Sequence, residues 1–346
     1  MDREMEIVNP LEFPGWDDLI LSNPAGSFFH STNWARVLSE TYGYRPRFFA
    51  IFMNGGLETM VPVLEIDSVI TGKRGVSLPF SDYSDPFFGS IEQYRHCVQD
   101  IVECGKRSGW ETIEIRGGIC PWREEGASSE FYGHRLNLER PEEELFANLR
   151  KNMQRNIKKS LNLGVNVVFL NSMDAVSEFY RLNCITRKAH GIPPQPMEFF
   201  RKVHEHILSR NQGVVALASY KGSYVAGCVY FHFGRKAIYK YGASDLEGKT
   251  SRANNLVMWE AIKWYSQKGY AQLCFGRTEF ENSGLRDYKL GYGTEEYVLQ
   301  YHKYDIQRCR VVTNEDSGTP IWRKAYRFLP ISISKIIGNV SYRHIG

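Results

Sequence analysis

The 346-residue sequence has no uncharged apolar run of the ~18–20 residues that a bilayer-crossing helix needs, which speaks against spanning helices. Its start, Met1 to Glu12, has four acidic residues and no apolar stretch, unlike a secretory signal or an Arg-rich transit peptide. The seven cysteines (Cys97, Cys104, Cys120, Cys184, Cys228, Cys274 and Cys309) are scattered and include no C-x-x-C pair. That counts against a disulfide framework or a structural zinc site and predicts a cytoplasmic protein with reduced, mostly buried thiols. Charge of one sign is not in large excess: 43 Lys and Arg face 39 Asp and Glu, and the net charge is +4. DNA is therefore not an expected partner, whereas a phosphate-bearing ligand is compatible. A G-x-S-x-G elbow and an H-E-x-x-H pair are also missing. His204 and His206, two apart, would point to different sides of a helix, so no metal site is expected and both read as surface histidines.

What is present is the composition of a folded protein: 42% hydrophobic and 24% charged residues, at a length that suggests two domains. Aromatics reach 14%, enough for a large core and for lining an elongated groove.

Local patterns repeat along the chain. Ser31 to Tyr42 reads as a capped helix that stops at Gly43. Arg47 to Ile66 reads as a hairpin turning at Asn54-Gly55-Gly56, with Pro62 marking an edge strand or a late start. Gly75 to Phe80 fits a third strand, Glu92 to Arg107 a helix, and Glu111 to Ile115 a strand. In the second half Met197 to Leu208 fits a helix opened by Pro196. Then come a hairpin (Val214–Tyr220, Tyr224–Phe233), a strand (Ala237–Gly242), a helix (Ala253–Gln267) and a strand (Gln272–Phe275). The turns at Gly56 and Gly222, and the helix-ending Gly109 and Gly269, each stand roughly 160 residues apart. A duplicated α/β domain follows.

Between the halves, Leu145, Leu149, Met153, Ile157 and Leu161 recur every four residues, one side of a helix over Pro141 to Leu161. The other side carries Arg150, Lys151, Arg155, Lys158 and Lys159, either a solvated basic face or a docking face for a polyanion. Trp322 to Ile337 mixes cations with aromatic and aliphatic residues. A C-terminal helix packed on the body fits it, and so does contact with an anionic membrane surface.

Ala243 to Thr250 imitates a phosphate loop, but Asp245 and Glu247 stand where backbone N–H groups would cradle phosphate, and the strand Leu273-Cys274-Phe275-Gly276 lacks the expected Asp. NTP hydrolysis is not expected. Lys249 and Arg252, at a helix start after a strand, still suit another anion.

The stretch from Ala237 to Gly293 contains Tyr241-Gly242-Ala243-Ser244, Trp259-Glu260-Ala261-Ile262, a strand ending Phe275-Gly276, and Gly284-Leu285 before Tyr288-Lys289-Leu290-Gly291-Tyr292-Gly293. The linking segment adds Gln154-Arg155-Asn156-Ile157-Lys158-Lys159 with Gly164-Val165, and the first half Pro79-Phe80-Ser81-Asp82-Tyr83. In this order the motifs resemble the FemABX family of peptidoglycan aminoacyltransferases and its relatives in the GNAT superfamily. Without a heptad run for a coiled-coil arm, the chain looks closest to FemAB-like proteins associated with exopolysaccharide or protein-sorting loci.

The resemblance implies an α/β (α+β) fold of tandem GNAT-like domains with mixed sheets, facing each other across a cleft. The expected boundaries are 1–140, 141–305 with the basic helix 141–162, and a tail 306–346 packed on the body. The implied chemistry is amide formation, by transfer of an aminoacyl or acyl group to an amine of a cell-envelope precursor. The implied co-substrate is aminoacyl-tRNA or acyl-CoA, with no bound cofactor, and the place is the cytoplasm, at or near the inner membrane face. Lys289 maps onto the family lysine assigned to substrate or transition-state charge, with Glu279 a candidate base. Tyr288, Arg277, Tyr241, Ser244, Asp82 and Tyr83 are candidate substrate contacts. Lys249, Arg252, Arg155, Asn156 and Lys158 are candidates for tRNA or CoA phosphates. Two rivals remain: an acyl-CoA-dependent N-acyltransferase on a sugar or lipid amine, for which the G-x-G/A spacing is missing, and a non-catalytic precursor-binding protein.

Overall fold

The computed structural model describes residues 5–119, 122, 126–313 and 326–346. Cys120 and Trp322 lie outside the described residues. The chain forms two compact units, dividing at Phe131/Tyr132 and again at Tyr297/Val298, against boundaries of 140 and 305 read from the sequence. Of the described tail, 306–313 and Ser341–Gly346 belong to the first unit and 326–340 to the second.

The first unit contains β1 (Glu6–Val8), α1 (Trp16–Ser22), α2 (Thr32–Tyr42), β2 (Arg45–Met53), β3 (Gly56–Ser68), β4 (Gly72–Val76), α3 (Ile91–Ser108) and β5 (Thr112–Arg116). Strands β1 to β4 pair antiparallel in sequence order, and α3 then carries the chain over to β5, parallel to β4. Tyr301 to Asp305 close this sheet antiparallel to β5. One face of α3 (Tyr94, Val98, Ile101) is buried against Phe49, Val61, Val63, Ile113 and Trp110, which forms the core.

The second unit's sheet runs β6 (Ser129–Asn137), β11 (Gln272–Glu279), β10 (Lys236–Ser244), β9 (Ser223–Phe233), β8 (Gly213–Tyr220), β7 (Asn166–Leu170). Its helices are α4 (Glu142–Ala147), α5 (Lys151–Asn162), α6 (Met173–His190), α7 (Met197–His206), α8 (Leu246–Thr250), α9 (Ala253–Gln267) and α10 (Ser283–Leu290). β12 (Glu295–Asp305), the short strand β13 (Arg310–Val311) and α11 (Ile331–Ile345) follow among the described residues. Strands β7 to β10 are antiparallel, while β10 and β11, joined through α8 and α9, are parallel.

The duplication expected from the sequence is present: hairpin, third antiparallel strand, crossover helix, parallel strand. Both hairpins turn on two consecutive left-handed residues, Asn54-Gly55 and Lys221-Gly222, the geometry that matches strand twist. The equivalent glycine is thus Gly55, not Gly56. Gly109 and Gly269 end α3 and α9 in the same left-handed conformation.

Several expectations change. Pro62 lies inside β3, opposite Phe48, in a strand with neighbours on both sides. It is tolerated because the β4 ladder reaches only Leu64 to Ser68, so no β4 residue calls for its missing N–H. The third strand ends at Val76, since Leu78 and Phe80 turn left-handed. Pro196 occupies the N-cap of α7, not its first turn. The linking helix breaks into α4 and α5. Arg150 N–H donates to the Gly291 carbonyl (2.9 Å), and the Gln154 amide caps the carbonyls of Phe146 and Leu149 (3.1 and 3.0 Å). Leu145, Leu149, Met153 and Ile157 are buried as the spacing requires, but Leu161 is 51% exposed. His206 is buried rather than on the surface.

Gly248 in α8 lies so close to β9 that an added Cβ would overlap the Val225 carbonyl. Backbone cannot rotate away as a side chain can. Gly248→Ala is expected to destabilise the protein by about 1–3 kcal/mol, readable as a lowered urea midpoint at unchanged m-value.

Candidate active site

β10 and β11 pair over only three residues each, Lys236 to Ile238 against Gln272 to Cys274. Beyond them the two strands have no common ladder. β10 also carries a bulge between Tyr239 and Tyr241 in its pairing with β9. Residues two apart on a strand ordinarily share a face, and a bulge breaks that rule. Tyr239 accordingly packs on Tyr230 and Phe275, whereas Tyr241 packs among Phe199, Phe200 and Phe231.

Past its last pair with β10, strand β11 is met by Lys289 of α10. Its side chain is 2% exposed, and Nζ donates to the carbonyls of Gly276 (3.0 Å) and Arg277 (2.9 Å). Successive strand carbonyls point to opposite sides. Gly276 is left-handed (φ 68°), which breaks the alternation and lets two consecutive carbonyls meet one ammonium. Lys289 is therefore sequestered beneath the strand rather than displayed on the surface.

Around it lies a charged network that the sequence reading did not find. Arg286 grips both oxygens of Glu296 (2.8 and 2.7 Å), and its guanidinium lies over the Tyr132 ring at 4.1 Å. Phe280 packs on Tyr132 at 4.3 Å. Glu296 Oε2 also meets Nε2 of the fully buried His134 at 3.0 Å. The bonds from Arg286 hold the Glu296 carboxyl below its ordinary range. Burial, and next the nearby Lys289 ammonium, depress His134 from 6.5 to about 4. An ionised carboxylate only accepts, so the neutral imidazole keeps its proton on Nε2. Nδ1 has no hydrogen-bond partner among the described residues.

Tyr288 donates to the Asn254 carbonyl (3.2 Å) and accepts from Tyr292 Oη (3.4 Å). Burial, then Tyr292 beside Tyr288 and Cys228 beside Tyr239, push both phenols well above the ordinary tyrosine range, so these are neutral hydroxyls. Cys228, beside them, is pushed by burial up to about 12, which removes it as a thiolate nucleophile.

The other sequence candidates fall into separate places. Ser244 is buried and accepts from Asn254 Nδ2 (2.9 Å), so Asn254 links it to Tyr288. Arg277 supplies a carbonyl to Lys289, and Glu279 is exposed at the end of β11. Tyr241 is drawn away to α7 by the bulge. Lys249 in α8 and Arg252, the left-handed residue before α9, are both exposed. Asp245 caps α8 by accepting from Gly248 N–H (2.9 Å), so the N-terminus of that imitation phosphate loop is already filled by a carboxylate. Arg155 and Lys158 are exposed on α5 and Asn156 is half-buried. Asp82 and Tyr83 belong to the first unit, where the Asp82 carbonyl accepts from Tyr301 Oη (2.7 Å) and Tyr83 packs edge-on against Phe29.

Residues 147–297 match the family described as acetyltransferase (GNAT) domain. Over 108 residues, 31% of this chain, the sequence is 28% identical to the UDP-N-acetylmuramoylpentapeptide-lysine N(6)-alanyltransferase of Weissella viridescens, and the match spans only 32% of that relative. The crystal structure of FemX superposes with a TM-score of 0.65 at 13% identity, over 86% of this chain and 96% of that one. A tandem GNAT protein from the clavulanic acid biosynthesis pathway gives 0.55 at 9% identity, over 90% and 100%. The tandem GNAT fold and the resemblance to FemABX proteins read from the motifs are both borne out.

Proposed function

We propose that this chain, whose second unit carries the GNAT match, is an acyltransferase that moves an aminoacyl group onto an amine of a peptidoglycan precursor. The observation that carries the reading is the buried Lys289 ammonium, fixed on two carbonyls of β11 beyond its last pair with β10, in a chain with the fold of FemX. Amine attack on an acyl ester builds negative charge on the carbonyl oxygen, and a fixed cation in a dry site stabilises it. The C–N bond forms as the ester C–O bond breaks. The amine loses a proton to Glu279 or to a group on the substrate, and the departing hydroxyl gains one. Arg155, Asn156 and Lys158 on α5 are the proposed contacts for a donor tRNA. Tyr288 and Ser244, bridged by Asn254, would orient the donor.

The acceptor is suggested by the Weissella relative, which acts on the lysine of UDP-N-acetylmuramoylpentapeptide. The test is to incubate the purified chain with alanyl-tRNA and that precursor, and to look for a product heavier by one alanyl residue. Calorimetric titration with acetyl-CoA and a longer acyl-CoA runs beside it. Alanylated product without CoA binding supports the reading. Saturable CoA binding weakened by changing Lys249 and Arg252, with no alanylation, would replace it with acyl-CoA-dependent transfer.

A further inference from the structure

An amphipathic helix on a protein body normally turns its apolar face inward. Helix α11 does the reverse. Ser334, Gly338 and Tyr342, spaced four apart, are its buried side. Gly338 is pressed so close to Pro194 that a Cβ would overlap the Pro194 carbonyl, and Tyr342 packs on Phe80. The outward side carries Ile333, Ile336 and Val340, at three- and four-residue spacing, all exposed. Phe328, just before the helix, is 86% exposed.

The charge within this segment has one sign. Residues 326–346 include no Asp or Glu, while Arg327, Lys335 and Arg343 are cationic. Arg343 is exposed on the same side as the stripe, and Lys335 lies at its flank, over the Tyr180 ring at 5.2 Å. Apolar side chains flanked by cations, in a segment without carboxylates, are the features of a helix lying in the headgroup layer of an anionic bilayer.

We infer that α11 and Phe328 dock the protein on an anionic membrane surface, with Ile333, Ile336 and Val340 entering the acyl boundary and Arg327 and Arg343 meeting lipid phosphates. A second copy of the chain covering the same stripe would place these cations against each other, which disfavours it. The inference stands apart from the transferase reading, because its test needs no turnover.

The test is flotation of the full chain with phosphatidylcholine vesicles, with or without phosphatidylglycerol. Binding to the mixed vesicles is expected to exceed binding to neutral ones by about tenfold and to weaken with salt. Ile336→Asp with Val340→Asp should reduce it about tenfold or more. Both positions are exposed, so the melting temperature should stay unchanged, and Arg343→Gln tests the charge alone. The inference fails if the wild type does not float, or if the double variant floats as well as wild type. It also fails if light scattering without vesicles shows a dimer that the double variant dissolves, since the stripe would then serve a second copy.

Discussion

Lys289→Met is expected to lower the rate of amide formation by about 100-fold or more, at little change in donor affinity. In the proposed mechanism its charge stabilises the oxyanion, which develops only as the acyl carbonyl is attacked. The substitution also strands two buried carbonyls, Gly276 and Arg277, at a cost of about 1–3 kcal/mol each unless water enters. Stability must therefore be measured beside kcat, and activity compared at a temperature where both proteins are folded. Lys289→Arg should not rescue, because a planar fork cannot take the place of a compact ammonium between two adjacent carbonyls. A folded Lys289→Met protein with full turnover would end the catalytic assignment and leave Lys289 a purely structural cap of β11.

A second large effect concerns acid. His134 titrates at about 4 in the native protein instead of 6.5. Above pH 6.5 it is neutral folded or unfolded and has no influence. As the pH falls from 6.5 towards 4 the unfolded chain takes up a proton that the native site refuses, so stability declines by about 1.4 kcal/mol per pH unit, to a total of about 3 kcal/mol. His190, His232 and His302 are lowered by burial too, and the depressed Glu296 acts in the same direction at the acid end. Urea unfolding of wild type and His134→Gln at pH 7 and pH 4.5 isolates the contribution. The variant should lose about 2 kcal/mol less over that interval. Parallel losses in the two proteins would show that the proton is taken up elsewhere.

The parts of the fold that were legible in the sequence are those fixed locally. The two hairpins, the helix-ending Gly109 and Gly269, and the helix read over Glu92 to Arg107 need only near neighbours, and each forms, with the first turn glycine one residue earlier than the pattern places it. Pro62 misled because its cost depends on how far β4 extends, which only the sheet decides. The break between α4 and α5 answers to Gly291, well over a hundred residues away. The candidate site divides on the same principle. Lys289 could be found because it sits in a short contiguous motif. His134 and Glu296 could not, because β6 has no clean alternation and carries Gly133, against which Tyr297 packs, and its partner strand arrives only after residue 294. Arg286 lay within the motif already singled out. Its role becomes visible only with Glu296 beside it.

The left-handed turn at Gly276 has a consequence for the electrical character of the site. A carboxylate partner would satisfy a lysine's N–H groups and annul its charge in one step. Two main-chain carbonyls satisfy N–H groups while contributing only dipoles, so these two bonds to Lys289 leave its formal charge intact. Two anchors of that charge are thus written into backbone geometry, and substitution of neighbouring side chains would leave both in place.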